Sequence, residues 1–265
     1  MNLLKELAGE LLGTFILVLV GCGSVAVAVL YFPLDLWHIA LVWSLGVALA
    51  IYVTRGFSSS HLNPAVTLAM VLAKKCEWKK MPAYFLAQLA GAMLAAFLLL
   101  FIINNDLATY EIAKGIVRGD ASSYHSAVMF GEFFPNPGYE NILQVSHLKA
   151  CIAEGLGTFA LVFIIFILTA KQRGIDSIIP LLIGLTVGAI IMLVAPYTQA
   201  GLNPARDFGP RLVAYFGGWG NAAFPSITWS FLTVYIISPF IGGLLAFLSF
   251  SLFYSGNSFF RARYY

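Results

Sequence analysis

The sequence predicts an all-α membrane protein with six transmembrane helices, two re-entrant half-helices and two inverted repeats. Three observations lead to this prediction. The chain is 60% hydrophobic and only 10% charged, whereas soluble domains are typically about 25% charged. Several apolar runs reach the length of about 20 residues that crosses a bilayer. The tetrapeptide Leu-Asn-Pro-Ala occurs twice, at 62–65 and 202–205.

The six long apolar runs are predicted to be the transmembrane helices, because each has the length of a bilayer crossing. They lie near 5–30, 39–57, 81–103, 149–170, 177–195 and 229–254. The N-terminal residues lead directly into the first run without a small-residue cleavage site, which favours a retained helix over a signal peptide. The stretch of about 104–147 is predicted to be a long outer loop.

Two shorter apolar segments, near 63–73 and 203–216, have about half the length of a span. Each begins at Asn-Pro-Ala, and proline is favoured at the first helical position because the N–H it lacks would have no partner there. A helix this short cannot cross the bilayer. Both segments are therefore predicted to enter the membrane and return to the same face.

The chain consists of two similar halves, at about 5–103 and 149–254, within a single membrane domain covering 1–265. Residues 9–18 match residues 153–162 at most positions, and each copy precedes one Leu-Asn-Pro-Ala at a similar distance. Three spans per half is an odd number, so the second half must be inverted relative to the first. Inverted repeats with interrupted helices place the working site near the membrane midplane.

The distribution of lysine and arginine predicts the orientation, because cytoplasmic loops carry an excess of both. With the N-terminus inside, the inner side holds most of the basic residues: Lys5, Arg55, Lys74, Lys75, Lys79, Lys80, Lys171, Arg173, Arg261 and Arg263. The outer loops are mainly acidic. Both termini are therefore predicted to be cytoplasmic.

The polar residues outside these motifs do not indicate catalysis. The three cysteines, Cys22, Cys76 and Cys151, are scattered and show neither a disulfide framework nor metal spacing. We find no paired carboxylates in a polar setting, no phosphate-binding loop and no His or Cys cluster. The formal net charge of +3 is too small to indicate a nucleic-acid partner. The sequence therefore predicts no enzyme, no metal and no cofactor.

Two half-helices that enter from opposite faces would meet at their N-termini, each of which carries about half a positive elementary charge. A pathway past both ends would repel cations and disfavour a continuous proton wire. Asn63 and Asn203 can each donate a side-chain amide to a passing solute, or they are only N-caps of buried turns. Their recurrence in inverted repeats favours the pore role. The predicted pore motif comprises Asn63, Pro64, Ala65, Asn203, Pro204 and Ala205.

The segments before the two ends, at 58–61 and 198–201, must be irregular backbone at membrane depth. Such backbone is tolerated only where it is buried in protein or lines a water-filled cavity. Both segments are small and polar, and we expect a row of pore-lining carbonyls from Ser59, Ser60, His61, Gln199, Ala200 and Gly201. The side chain of His61 either lines the lumen or fixes its loop, and the structural role is favoured.

Four charged residues lie within or next to the apolar segments. Arg206 is one turn into the second half-helix and is predicted to face the lumen, because an arginine facing lipid is costly. Asp207 could neutralise it, but adjacent helical positions point apart. Glu10 and Glu154 occupy matching repeat positions. They form either a proton relay or a pair of acceptors for the loop backbone, and the matching positions favour the structural role.

The motifs at 61–67 and 202–210, together with the repeated glutamate, resemble the major intrinsic protein (aquaporin) family over nearly the whole chain. The segments 116–119, 134–137 and 203–224 look especially like bacterial glycerol facilitators. This resemblance implies a homotetramer in the plasma (bacterial inner) membrane, with one pore in each chain. It also implies a constriction outside the paired asparagines, at the positions that correspond to Trp43, Ile191, Ala200 and Arg206.

The resemblance to the glycerol branch is carried by Trp43, Asp207 and Arg211, whereas Ile191 and Ala200 depart from it. Bacterial glycerol facilitators have glycine and phenylalanine at these two positions, and the water-selective pattern has histidine at the first. The set of Trp, Ile, Ala and Arg is similar to the plant nodulin-type intrinsic proteins, which pass glycerol, water and some small neutral acids.

The resemblance implies a passive channel for glycerol and similar small neutral solutes, including other polyols and small neutral acids, with some water. Protons and ions would be excluded. A mainly water-selective channel of the same fold is the nearest alternative. A coupled secondary transporter is the alternative of another class, since it also uses inverted repeats and broken helices. It would need titratable groups along the path, and the spans offer few besides Glu10, Glu154 and Arg206.

Overall fold

The computed structural model describes residues 2–170, 175–225 and 229–254. Within these ranges the helices are α1 Leu3–Leu30, α2 Leu36–Thr54, α3 Pro64–Leu72, α4 Met81–Lys114, α5 Tyr124–Ala127, α6 His147–Thr169, α7 Ile179–Thr198, α8 Pro204–Ala214 and α9 Ser238–Tyr254. A π-helical segment, Leu232–Ile237, leads into α9. Four basic residues used for the predicted orientation, Lys171, Arg173, Arg261 and Arg263, lie outside the described residues.

Six helical segments in the described ranges are long and apolar enough to cross a membrane. They are α1, α2, α4, α6, α7 and the segment Leu232–Phe253, so the predicted spans are confirmed. We call the face of the bundle at which α1 begins the N-terminal face, and the opposite face the loop face.

The third span is longer than predicted, since α4 continues beyond 103 to Lys114, and Gly115 then ends it with a φ of 65°. The loop therefore occupies 115–146 and not 104–147. Hydropathy falls where the helix leaves the apolar layer, but the helix itself persists because its polar residues find partners. The Tyr31 hydroxyl donates to Asp106 at 2.5 Å, and Arg118 donates to Glu111 at 2.7 Å.

The two half-helices begin deep in the bundle and run to opposite faces. Asn63 and Asn203 are their N-caps, and a proline follows each as the first helical residue. Beyond α3, Lys75 contacts Thr169 at the N-terminal face. Beyond α8, the carbonyl of Gly217 accepts a hydrogen bond from Arg118 in the long loop. The two predicted re-entrant segments thus have the expected position and opposite directions.

Close helix crossings hold each half together. In the first half α4 packs on α1, and in the second half α9 packs on α6. A Cβ added to Gly91 would overlap the Leu11 carbonyl, and one added to Gly242 would overlap the Gly155 carbonyl. Only glycine permits this approach of two backbones, which increases van der Waals contact between helices. The equivalent crossings reflect the internal repeat.

The long loop 115–146 folds back over the loop face and is partly buried there. Met129, Phe130 and Phe133 are each at most 5% exposed. The side chain of Asn136 donates to the carbonyl of Ala195 at 2.7 Å, near the end of α7. These contacts place residues 128–136 directly above the end of the bundle interior.

Candidate functional site

In the described part of the chain, a cavity opens toward each face of the bundle. The cavity on the N-terminal face has a volume of about 740 Å³, and the cavity on the loop face has a volume of about 900 Å³. Trp43, Ile191 and Arg206 line both cavities. These three side chains therefore lie between the two cavities, at the position that the sequence predicts as the constriction.

The ends of the two half-helices are joined to each other. Asn63 Nδ2 donates to the Leu202 carbonyl at 3.0 Å, and Asn203 Nδ2 donates to the Leu62 carbonyl at 2.7 Å. The same two asparagines line the cavity on the N-terminal face. The positive ends of α3 and α8 consequently meet beside the path, which is the arrangement that the inverted repeats predict.

Each asparagine is also the N-cap of its half-helix. Asn63 Oδ1 accepts the N–H of Ala65 at 2.8 Å, and Asn203 Oδ1 accepts the N–H of Ala205 at 3.1 Å. An amide nitrogen carries two hydrogens, and the contact to the opposite loop uses one of them. The capping role and the donor role are therefore compatible, because different atoms of one side chain serve them.

Glu10 of α1 lies against the first irregular segment and is fully buried. Its carboxylate accepts the N–H of His61 at 2.9 Å and the N–H of Leu62 at 2.7 Å. The amide of Gln88 donates to the same carboxylate at 2.8 Å. These hydrogen bonds satisfy backbone donors that would otherwise be unpaired inside the membrane.

Glu154 has the equivalent role in the second half and is also fully buried. It accepts the N–H of Gly201 at 2.8 Å and the N–H of Leu202 at 2.7 Å. The hydroxyl of Thr198 donates to it at 2.6 Å. The contacts of both glutamates are those of backbone acceptors, the alternative that the sequence favoured over a proton relay.

The irregular segments have matching left-handed backbone. The φ angles of Ser60 and Leu62 are 50° and 52°, and those of Ala200 and Leu202 are 63° and 55°. Non-glycine residues reach this region at a cost of about 1–3 kcal/mol each. The hydrogen bonds to the buried glutamates therefore hold both segments in an intrinsically unfavourable conformation.

This conformation directs backbone carbonyls away from the glutamates. In a trans peptide the C=O and the N–H point in opposite directions. Because the N–H groups of His61 and Gly201 point at the buried carboxylates, the carbonyls of Ser60 and Ala200 point away from them, toward the cavity that both residues line. Ser59, His61 and Gly201 line the same cavity, and Gln199 lines the cavity on the loop face.

The backbone of His61 is held by α1, and its ring lies beside an aromatic ring. Its backbone N–H is anchored to Glu10, and its ring lies 5.5 Å from the ring of Tyr84. The residue also lines the cavity on the N-terminal face, although it is only 8% exposed.

The four predicted constriction residues lie together. Trp43, Ile191, Ala200 and Arg206 are all buried and all line the cavity on the N-terminal face. The guanidinium of Arg206 lies 4.2 Å from the centre of the Trp43 ring, in a cation–π contact. A Cβ on Gly21 of α1 would overlap that ring, so Gly21 leaves the space that Trp43 occupies.

Sequence reasoning missed one charged residue at the constriction. Glu132, from the long loop, forms an ion pair with Arg206, and both side chains are 4% exposed. Asp207, which the sequence offered as a possible partner of Arg206, instead pairs with Arg211 at 2.6 Å. The sequence does contain an indication that Glu132 is paired, because it is an isolated carboxylate in the apolar run 127–135. Such a charge is seldom buried unless it is paired.

The mouth of the cavity on the N-terminal face is basic. Arg55, Lys74 and Lys75 line it together with Asp176. Burial lowers the pKa of Lys75. We place these groups at the entrance, at a distance from the constriction.

A membrane bundle of inverted repeats, with two half-helices meeting at its centre and a cavity on each side, has the architecture of a passive channel. Residues 1–250 of the chain match the Major intrinsic protein family. The chain belongs to this family, and the resemblance noted in the sequence is confirmed.

Known proteins and solved structures are similar to this chain, including the following three. The glycerol uptake facilitator protein of Pseudomonas aeruginosa is 37% identical over 248 residues, covering 92% of this chain and 86% of the relative. That of Shigella flexneri is 37% identical over 240 residues, covering 89% and 83%. The X-ray structure of the aquaglyceroporin from Plasmodium falciparum matches with a TM-score of 0.74 and 25% identity, covering 94% of this chain and 96% of that one.

Proposed function

We propose that this protein is a passive channel for glycerol and similar small neutral solutes, with some water. The observation that carries the proposal is the two-sided lining of the constriction. The Trp43 ring and the Ile191 side chain form an apolar wall, and the Arg206 guanidinium supplies hydrogen-bond donors beside them. The relatives named glycerol uptake facilitators support the choice of solute.

A three-carbon polyol matches this lining chemically. Its carbon backbone can lie against the apolar wall, while its hydroxyl groups exchange hydrogen bonds with Arg206 and with the carbonyls of the irregular segments. We assign the row of carbonyl acceptors to Ser59, Ser60, His61, Gln199, Ala200 and Gly201. Each hydrogen bond that the polyol gives up with water is thereby replaced by one with the protein, which keeps the free-energy barrier to its passage low.

Protons and cations are excluded in this proposal by the centre of the path. The N-termini of α3 and α8 carry positive partial charge there, and the amides of Asn63 and Asn203 orient the oxygen of any passing solute. Glu10 and Glu154 act as structural anchors, since their oxygens already accept backbone and side-chain hydrogen bonds.

We further propose that the N-terminal face is cytoplasmic, as the lysine and arginine distribution predicts, and that the channel lies in the plasma membrane. A homotetramer is proposed from the family resemblance. Each chain would then contribute a complete pore, because both half-helices and the whole constriction come from one chain.

The test is light scattering from proteoliposomes that contain the purified protein, under separate glycerol and water gradients. Glycerol should enter much faster than into empty vesicles. Glycerol entry no faster than into empty vesicles would overturn the proposal, and fast water flux alone would indicate a mainly water-selective channel.

Two variants of α7 test whether glycerol passes the constriction. Ile191 is 4% exposed and lines both cavities, whereas Leu193 is 74% exposed on the outside of the bundle. Ile191→Trp should abolish most of the glycerol flux by filling the path, and Leu193→Trp should leave it unchanged. Equal flux in the two variants would place the glycerol path elsewhere.

A further inference from the structure

The pairing of Glu132 with Arg206 joins the long loop to the constriction. The carboxylate of Glu132 contacts Nη1 of Arg206, and both side chains are almost completely buried. Glu132 lines the cavity on the loop face together with Arg206. The carboxylate is therefore part of the wall of the path, on the same side of the constriction as the guanidinium.

The charges around the constriction balance. Asp207 and Arg211 form one buried pair, with hydrogen bonds of 2.6 and 3.1 Å. If this pair is set aside, Arg206 carries one positive charge, and Glu132 supplies one negative charge beside it. The constriction therefore has no net charge from these four side chains.

An arginine without this partner would attract anions. The guanidinium presents several N–H donors in a planar fork that fits carboxylate-like anions, and such charge-assisted hydrogen bonds are strengthened by burial. At Arg206 the carboxylate of Glu132 already occupies a face of this fork. A free anion would have to displace a group that is covalently part of the protein.

The backbone of Glu132 is held in place independently of its side chain. Its N–H donates to Asp207 at 2.9 Å, and its carbonyl accepts from Arg211 at 2.6 Å. The next N–H, of Phe133, donates to the side chain of Gln199 at 2.7 Å. A Cβ on Gly131 would lie 2.8 Å from the Arg211 guanidinium, so the loop lies directly on this pair.

These contacts show that docking of the long loop and pairing with Arg206 depend on different atoms of Glu132. The Asp207–Arg211 pair docks the loop through backbone atoms, and therefore the carboxylate of Glu132 is not needed for docking. We propose that Glu132 is a specificity-determining residue: its carboxylate occupies Arg206 as a built-in anion, so that the neutral constriction excludes small anions as well as cations. This inference rests on the proposed function, since it concerns the same path.

The test uses nitrate, a small planar anion whose oxygens fit the guanidinium fork. Glycerol flux into proteoliposomes is measured in solutions in which nitrate replaces gluconate stepwise. Gluconate serves as the reference anion because it is too large to enter the constriction. Wild-type flux should not depend on nitrate. In Glu132→Gln, nitrate should inhibit the glycerol flux at a concentration on the order of tenfold or more below the highest one that leaves the wild type unaffected, because a hydrogen bond to a charged group changes occupancy by about that factor.

Three further variants complete the test. Glu140→Gln removes a carboxylate from an exposed position of the same loop and should respond like the wild type. Glu132→Asp keeps the charge and should remain insensitive to nitrate. Glu132→Ser leaves room for water and replaces Glu132→Gln if that variant does not fold. Nitrate sensitivity confined to the two uncharged variants supports the proposal, and their insensitivity overturns it.

A second measurement is independent of glycerol. Nitrate uptake into the same vesicles is followed with an ion-selective electrode, with potassium and valinomycin to balance charge. The uncharged variants should pass nitrate into the vesicles, whereas the wild type and Glu140→Gln should not. If the wild type conducts no glycerol, the proposed function fails, but nitrate uptake still decides the role of Glu132. Equal nitrate uptake in all variants would overturn that role.

Discussion

At the residue scale, Arg206 has distinct contacts on different sides of its guanidinium. The Trp43 ring lies 4.2 Å away, Glu132 forms an ion pair with it, and the cavity lies beside both. The surroundings thus restrain its orientation, and its donors are presented to the path in a fixed direction. A flexible lysine at this position would hold its charge but would not present the same planar set of donors.

Removal of Arg206 would leave the neutral constriction with a net negative charge. We expect Arg206→Ala to raise proton or cation permeability, because Glu132 then remains as an unpaired negative charge. A unit charge about 5 Å away at an effective dielectric of about 20 contributes about 3 kcal/mol, or roughly a hundredfold in rate. A pH-sensitive dye inside proteoliposomes measures the leak.

The double variant Arg206→Ala/Glu132→Gln is the control for this prediction. It should leak less than Arg206→Ala alone, because both charges are then absent. An unchanged proton and cation permeability in Arg206→Ala would remove Arg206 from its proposed role in exclusion.

At the element scale, the irregular segments depend on helices that are distant in the sequence. Glu10 belongs to α1 and supports residues 61–62, and Glu154 belongs to α6 and supports residues 201–202. The half-helices begin where they do because these carboxylates accept the backbone donors that precede them. The two ends then join through Asn63 and Asn203.

Neutral substitution of either glutamate should weaken this support. We expect Glu10→Gln and Glu154→Gln each to lower the free energy of unfolding by about 1–3 kcal/mol, because the new amide turns a donor toward a buried backbone N–H. Thermal unfolding in detergent measures the loss. Glu77→Gln is the control, since that side chain is 70% exposed and surface ion pairs contribute about 0–1 kcal/mol.

The same variants test the alternative of a proton relay. Glycerol entry into vesicles should not move protons in the wild type, in Glu10→Gln or in Glu154→Gln. Glycerol-driven proton movement that disappears in either variant would support a coupled transporter and contradict the structural role.

At the scale of the whole molecule, one chain encloses a complete path. Both half-helices, the constriction and the two cavities are built from described residues of a single chain. The two halves contribute equivalent parts from opposite faces, as the crossings at Gly91 and Gly242 also show. Assembly of several chains is therefore not needed to form the path.

This arrangement predicts independent subunits within the proposed homotetramer. When wild-type chains are mixed with chains carrying Ile191→Trp, glycerol flux should fall in proportion to the blocked fraction. Native mass spectrometry gives the number of chains, and vesicle light scattering gives the flux. A fall much steeper than linear would indicate a path shared between subunits, contrary to the prediction.

Much of the fold was predictable because its signals are local or repeated. The length of the apolar runs predicted the six spans, and the two copies of Leu-Asn-Pro-Ala predicted the half-helices. The odd number of spans in each half predicted their opposite directions. The end of α4 at Lys114 was not predictable from hydropathy, because a helix can continue beyond the apolar layer when residues such as Asp106 and Glu111 find partners.

The sequence by itself determined the class of membrane protein, the inverted repeats and the residues proposed to line the path. Only the tertiary structure decided which charges meet. Asp207 is adjacent to Arg206 in the chain but points toward Arg211, because successive helical residues face different directions. Glu132 is distant in the chain and reaches Arg206 because the long loop docks on α8. Ion pairing depends on separation in space, which sequence separation does not specify.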